Sequence, residues 1–160
     1  MRRKDKEVVG IENILEIVKK CEVCRIALFD KDYPYIIPLN FGYEFNSENE
    51  ELNLFFHGAN QGKKLSLIKK NPKVGFEMDC SVNLVTGESP CNFGMEYESV
   101  CGNGKIEILN GEEKLKGLKH LMDKYSEKRN YKFNQEGLKN ITVFKLIVNE
   151  ITGKKSKTTK

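Results

Sequence analysis

The residues best suited to chemistry lie in a short segment that combines glycines with two adjacent lysines. His57 follows an apolar run, and Gly62 precedes Lys63 and Lys64 at the start of a helix predicted over 63–70. The start of a helix carries free backbone N–H groups and partial positive charge, and nearby glycines let the backbone approach a ligand closely, so this pattern favours an anion. Lysines are electrostatically unfavourable at that end unless an anion is present. The alternative is a pair of solvated lysines on a surface helix.

The spacing of these glycines and lysines matches neither of two common phosphate-binding loops. The GxxxxGK[ST] pattern of Walker loops is absent, and so is the GxGxxG pattern of dinucleotide-binding folds. His57 is either a half-buried hydrogen-bonding residue or a ligand contact. The ordinary pKa of histidine, about 6.5, leaves both charge states available.

Five cysteines are scattered along the chain, and Cys21 and Cys24 form a CxxC pair. A structural zinc site requires about four ligands, usually with a second spaced pair, and neither the other cysteines nor the two histidines supply that spacing. We therefore predict reduced thiols at a helix-to-strand junction and no metal site. A zinc or thioredoxin-like redox role is the alternative.

The elements that must position these residues follow from hydrophobic periodicity and turn signals. Pro38 lies within an apolar run and has no N–H to donate, which predicts an edge, a bulge or backbone that faces something other than a strand. The sequence predicts helices over 11–20, 63–70 and 111–125, a loop over 81–94, and strands over 24–29, 35–41, 52–56, 73–80, 95–109 with a bulge at 102–104, and 141–151.

Short strands dominate this order without βαβ alternation, which predicts an α+β chain on an antiparallel Greek-key β-barrel core with a few flanking helices. The 160 residues suit one domain, over 1–155, followed by a basic tail over 156–160. No apolar run is long enough to cross a membrane and no export signal is evident, so we expect a cytoplasmic protein with no membrane partner. The net charge of +4 comes mostly from lysines and arginines near the two ends, which argues against nucleic-acid binding.

Several segments occur in an informative order: 24–28, 34–41, 54–58, 62–64, 71–77, 97–100 with Gly102 and Gly104, and 151–154. Together they resemble the FMN-binding split barrels of the pyridoxamine 5'-phosphate oxidase superfamily, and more narrowly its nitroimidazole-resistance (Nim-type) branch. The resemblance spans about residues 1–155. It implies a split β-barrel fold and a homodimer with FMN (flavin mononucleotide) at the interface.

The resemblance also assigns residues to parts of the cofactor. A segment on the second strand would lie along the isoalloxazine ring, mostly through backbone atoms, and the end of the third strand would lie beside the flavin and its ribityl chain. The two lysines would hold the phosphate, and a later strand segment would face the cofactor from the second subunit. In chain order these residues are Ile37, Pro38, Leu39, Asn40, Phe56, His57, Gly58, Lys63, Lys64, Ser99 and Val100.

The function that the resemblance implies is an FMN-dependent oxidoreductase that reduces small electrophilic substrates such as 5-nitroimidazoles, with His57 as the candidate catalytic residue. Arg25 would pair with a carboxylate inside the barrel or reach the phosphate. The alternatives are a non-catalytic flavin-binding or stress-related module, a barrel for another ligand such as haem, and a pyridoxamine 5'-phosphate oxidase-like enzyme. The last is disfavoured because residues 144–160 contain lysines but no arginine.

Overall fold

The computed structural model describes residues 2–127 and 131–157, which form eight β-strands and four α-helices. The predicted basic tail reaches residues 158–160, which lie outside the described residues. The helices are α1 (Ile11–Lys20), α2 (Lys63–Lys70), α3 (Gly111–Tyr125) and α4 (Gln135–Lys139). The strands are β1 (Glu7–Val8), β2 (Cys24–Leu28), β3 (Tyr35–Leu39), β4 (Gly42–Asn46), β5 (Glu51–Ala59), β6 (Lys73–Val85), β7 (Gly94–Leu109) and β8 (Ile141–Ser156).

All eight strands join one antiparallel sheet in the order β3-β2-β6-β7-β8-β5-β4, with β1 added to β8. Strands β2 and β6, and strands β5 and β8, are neighbours in the sheet although they are distant in the chain, as in Greek-key connections. Strands β3 and β4 are consecutive in the chain but lie at opposite ends of the order. The sheet is therefore open between them, and the predicted antiparallel α+β class is confirmed.

Two hydrophobic clusters cover the two faces of the sheet. The larger cluster packs α1 and α2 against one face, and alternate residues of β5, Leu54 and Phe56, point into it. Phe55 points the other way, into a smaller cluster with Leu118 of α3. Helix α3 comes close to β4 because Gly42 has no side chain, since a Cβ at that position would overlap the backbone of His120. Both faces of β5 are thus buried, one in each hydrophobic cluster.

The structure adds strands to those predicted and lengthens others. Strand β4, which begins at Gly42, was not predicted from the sequence. Residues 81–94 were predicted to form a loop. Instead β6 continues to Val85 and pairs with β7, with an irregularity between Cys80 and Asn83. The bulge predicted at 102–104 is confirmed by a register shift between β7 and β8 next to Gly104. No helix among the described residues is long and apolar enough to cross a membrane.

A nearly buried carboxylate joins α1 to three strands. Glu98 of β7 is 5% exposed. Lys20 Nζ of α1 lies 2.8 Å from its Oε2, and Lys155 Nζ of β8 pairs with its Oε1. The hydroxyl of Ser81 on β6 donates a hydrogen bond to Oε2 at 3.4 Å. The hydrogen bonds from Lys155 and Lys20 lower the pKa of Glu98 to about 2 from an ordinary value of 4.5. Because the folded pKa is lower than the unfolded one, the network stabilises the fold fully above about pH 4.5, and this stabilisation is lost as the pH falls towards 2.

We expect Glu98→Gln to destabilise the protein near pH 7, because it leaves two lysines without their carboxylate. The lowered pKa corresponds to at most about 3 kcal/mol, and to less because both lysine side chains are nearly half exposed. The difference from wild type should shrink as the pH falls from about 5 towards 2.

Urea unfolding followed by circular dichroism measures this difference. Glu88→Gln, at an exposed position, is the matched control and should leave stability unchanged. A loss for Glu98→Gln that stays constant from pH 7 down to pH 3 would contradict the assignment.

Candidate functional site

The opening of the sheet lies between the free side of β3 and the last residues of β5. Among the described residues β3 pairs with β2 alone, and β4 pairs with β5 only as far as Phe55. The segment from Phe56 to Ala59 pairs with β8 on its other side. Backbone groups on both borders of the opening are therefore available to something other than a strand. Of the three alternatives for Pro38, the structure shows an edge strand.

Helix α2 begins immediately after this end of β5, and its first two lysines reach towards the two borders. Lys64 Nζ lies against Gly58 of β5, where a Cβ would overlap it. Lys63 Nζ lies 2.6 Å from Asp30, just after β2, and 4.8 Å from the ring centre of Tyr35 on β3. The start of α2 thus sits between the two borders of the opening.

The start of α2 has the features of an anion site. The N–H groups of Lys63 and Lys64 are the first of the helix and have no helical acceptor, and Gly62 has no side chain that could cap them. Gly62 has a φ of 130°, a backbone conformation that favours glycine. The free N–H groups and the helix dipole both produce a positive electrostatic potential here, which would favour an anionic ligand.

Lys64 is the least compensated charge in this region. Its side chain is half-buried, and burial lowers its pKa, with no acidic group among the described residues acting in the opposite direction. Removing an ammonium from water without a counter-ion costs free energy, which a bound anion would recover. The donor set therefore fits a phosphate group.

His57 lies one residue before Gly58 and its side chain reaches the surface. Partial burial lowers the pKa of His57, and the positive charge of Lys64 lowers it further. The imidazole is therefore neutral at pH 7, with one nitrogen that donates and one that accepts a hydrogen bond.

The structure places the predicted residues of β3 at the edge strand and alternates their side chains. Ile37 and Leu39 pack against the main core, whereas Pro38 and Asn40 are exposed on the opposite side. The free backbone edge of this segment and the side chains of Pro38 and Asn40 are therefore its accessible parts.

Three other predicted residues lie away from the start of α2. Phe56 is fully buried and stacks on Phe144 with ring centres 5.4 Å apart, so its side chain supports the strand end from inside the core. Val100 is fully buried in the middle of the sheet. Ser99 lies on the opposite face from Val100, at register positions beside Asp79 and Lys154.

Arg25 forms ion pairs, but not inside the barrel. Its Nη1 lies 2.6 Å from Asp79 and 3.2 Å from Glu77, and its side chain is 45% exposed. The carboxylate pairing expected of Arg25 is confirmed, and its location in the barrel interior is wrong. The alternation of β2 explains the difference, since Cys24 and Ile26 take the core-facing positions.

Asp30 is a residue that sequence reasoning missed. It lies between the two strands predicted over 24–29 and 35–41, and the structure pairs it with Lys63. The two residues are distant in the chain and no spacing pattern connects them, so only the fold brings them together.

The fold and the site define a split antiparallel barrel with a candidate anion site at its opening. A family model described as pyridoxamine 5'-phosphate oxidase matches residues 11–155. The chain belongs to this family, and the split-barrel fold predicted from the resemblance is confirmed. Among curated proteins, none matches the chain significantly.

Solved structures show the same fold. A Bacteroides thetaiotaomicron protein provisionally described as a 5-nitroimidazole antibiotic resistance protein is 27% identical, with a TM-score of 0.78 over 92% of this chain and 85% of that one. The flavocytochrome Anf3 of Azotobacter vinelandii gives a TM-score of 0.81 at 17% identity, over 99% and 72% of the two chains. An FAD- and haem-binding protein of Mycobacterium smegmatis gives 0.83 at 17% identity, over 96% and 74%.

The proximity of Lys64 to His57 predicts a measurable coupling. Lys64→Met should raise the pKa of His57, because it removes the positive charge that opposes protonation. The pKa should remain below the ordinary 6.5, since burial is the larger cause. Proton NMR titration of the imidazole measures it.

Lys70→Met, in the last turn of the same helix, is the control and should leave the His57 titration unchanged. Equal effects of the two substitutions would show that Lys64 does not act on His57 locally.

Proposed function

We propose that the chain binds FMN, with the phosphate at the start of α2. The observation that carries this proposal is Lys64, a half-buried ammonium without an acidic partner among the described residues, held beside Gly58 at an uncapped helix start. A phosphate monoester carries about two negative charges at neutral pH and several acceptor oxygens. It would satisfy both the ammonium and the free N–H groups.

The rest of the cofactor would follow the opening of the sheet. The backbone from Ile37 to Asn40 would lie along the isoalloxazine ring, and His57 and Gly58 would lie beside the ribityl chain. Both segments border the opening, which supports this arrangement. Ser99 is half-buried on the face of the sheet opposite Val100, and we propose that it reaches the flavin of a second copy in a homodimer. Val100 would hold that segment in place from the core.

We further propose that the protein is an oxidoreductase that reduces small electrophilic substrates such as 5-nitroimidazoles. The 27% identity to the Bacteroides protein over most of both chains supports this substrate class. A bound flavin would supply hydride and electron transfer. The chain would position the flavin and exclude water from one side. His57, neutral at pH 7, can donate a hydrogen bond to the substrate through one ring nitrogen and accept one through the other.

The phosphate site is tested by Lys64→Ala with Lys70→Ala as the matched control. A charged hydrogen bond to a phosphate contributes about 1.5–3 kcal/mol, so Lys64→Ala should weaken FMN binding by roughly ten- to a hundredfold. Lys70→Ala removes the same charge from the far end of the same helix and should change the affinity by less than about twofold. Flavin fluorescence quenching measures both dissociation constants.

Loss of affinity in both variants would indicate a general effect of net charge. Unchanged affinity in both would show that the phosphate binds elsewhere.

The activity is tested by anaerobic turnover of a 5-nitroimidazole with reduced nicotinamide as electron donor. Reduction of the nitro group to an amine takes six electrons and six protons and releases two water molecules, so each substrate should consume three NADH or NADPH. We expect the amine as the product, and His57→Ala should lower the turnover rate more than FMN affinity. Bound flavin that neither donor reduces, and that no nitroaromatic reoxidises, would instead favour a flavin-binding module without turnover.

A further inference from the structure

The two lysines at the start of α2 are not equivalent. Lys63 already has a counter-ion, since its Nζ lies 2.6 Å from Asp30 Oδ2 and above the ring of Tyr35. Lys64 has no acidic partner among the described residues. The Lys64 ammonium is therefore available to a ligand phosphate, whereas the Lys63 ammonium is already paired with Asp30.

The available charge is too small for a phosphate monoester while Lys63 stays on Asp30. Lys64 supplies one positive charge, and the start of a helix adds about half a charge. A phosphate monoester carries about two negative charges at neutral pH. Full compensation requires Lys63, whose side chain is 55% exposed and long enough to change partner.

Asp30 is well placed to compete for Lys63. Its side chain is only 21% exposed, and its backbone carbonyl accepts a hydrogen bond from Tyr33 N at 3.0 Å, which fixes the turn after β2. Asp32 lies in the same turn but is exposed, and it forms no ion pair in the described part of the chain. The competing carboxylate is therefore Asp30 specifically.

We propose that Asp30 sets the affinity of the site for phosphate-bearing flavins by competing with the ligand phosphate for Lys63. This inference rests on the proposed function. When FMN binds, Lys63 leaves Asp30 and joins Lys64 on the phosphate. The exchange costs the Asp30–Lys63 ion pair, so Asp30 makes binding weaker than the two lysines alone would allow. Riboflavin has no phosphate and leaves the pair in place.

The test compares Asp30→Asn with Asp32→Asn, which make the same change of charge two residues apart. A partly exposed ion pair is worth about 1 kcal/mol or less, so Asp30→Asn should tighten FMN binding by about three- to fivefold. Asp32→Asn should change it by less than about 1.5-fold in moderate salt, where exposed charges are screened. Riboflavin affinity should be the same in wild type and both variants.

A double-mutant cycle shows whether Asp30 acts through Lys63. In a Lys63→Ala background, Asp30→Asn should lose its benefit and match Asp32→Asn, because no ammonium remains to be released. Thermal unfolding of each variant confirms that it is folded before the titrations are compared.

Equal effects of Asp30→Asn and Asp32→Asn, or weaker FMN binding in Asp30→Asn, would overturn the inference. The second result would mean that Asp30 holds Lys63 in place for the phosphate. Failure of the proposed function has a different signature. Wild-type protein would then bind no FMN, or Lys64→Ala would bind it as well as wild type does, and the inference would fall with the function.

Discussion

Strand β3 has a strand partner on one side only within the described residues, and the candidate site depends on that open edge. Two residues separate β3 from β4, yet the chain passes from one end of the sheet to the other between them. Closing the sheet would pair the backbone of β3 and leave no place for a ligand. Pro38 suits the open edge because it has no N–H to leave unpaired. The local sequence of β3 is thus compatible with an unpaired edge.

The charges at the start of α2 are arranged at a cost to the folded chain. Burying Lys64 beside Gly58 without an acidic partner opposes folding, as uncompensated charges at binding sites commonly do. The Glu98 network shows the opposite arrangement, in which a nearly buried carboxylate has two lysines and serves stability. Under the proposed function, Lys64 would be kept for a ligand, whereas Glu98 stabilises the fold.

The sequence predicted those elements whose pattern is local. Helices α1, α2 and α3 have the predicted bounds, because apolar spacing, glycine and proline mark their ends. Strand β4 and the extension of β6 to Val85 were missed, since their residues are mostly polar or half-exposed and their pairing with distant strands decides their structure.

For the candidate site too, the sequence predicted the local features but not the contacts between distant segments. The segment from His57 to Lys64 was predicted from its glycines, its lysines and the helix that follows them. The engagement of Lys63 by Asp30, and the burial of Lys64 against Gly58, required the fold, because they depend on how α2 packs between β2 and β5.

The most direct measurement is the identity of the chromophore released when freshly purified protein is denatured. We expect a yellow protein that releases about one molecule of FMN per chain, or a colourless protein that takes up FMN to that ratio on titration. A protein that is isolated colourless and takes up no FMN would contradict it.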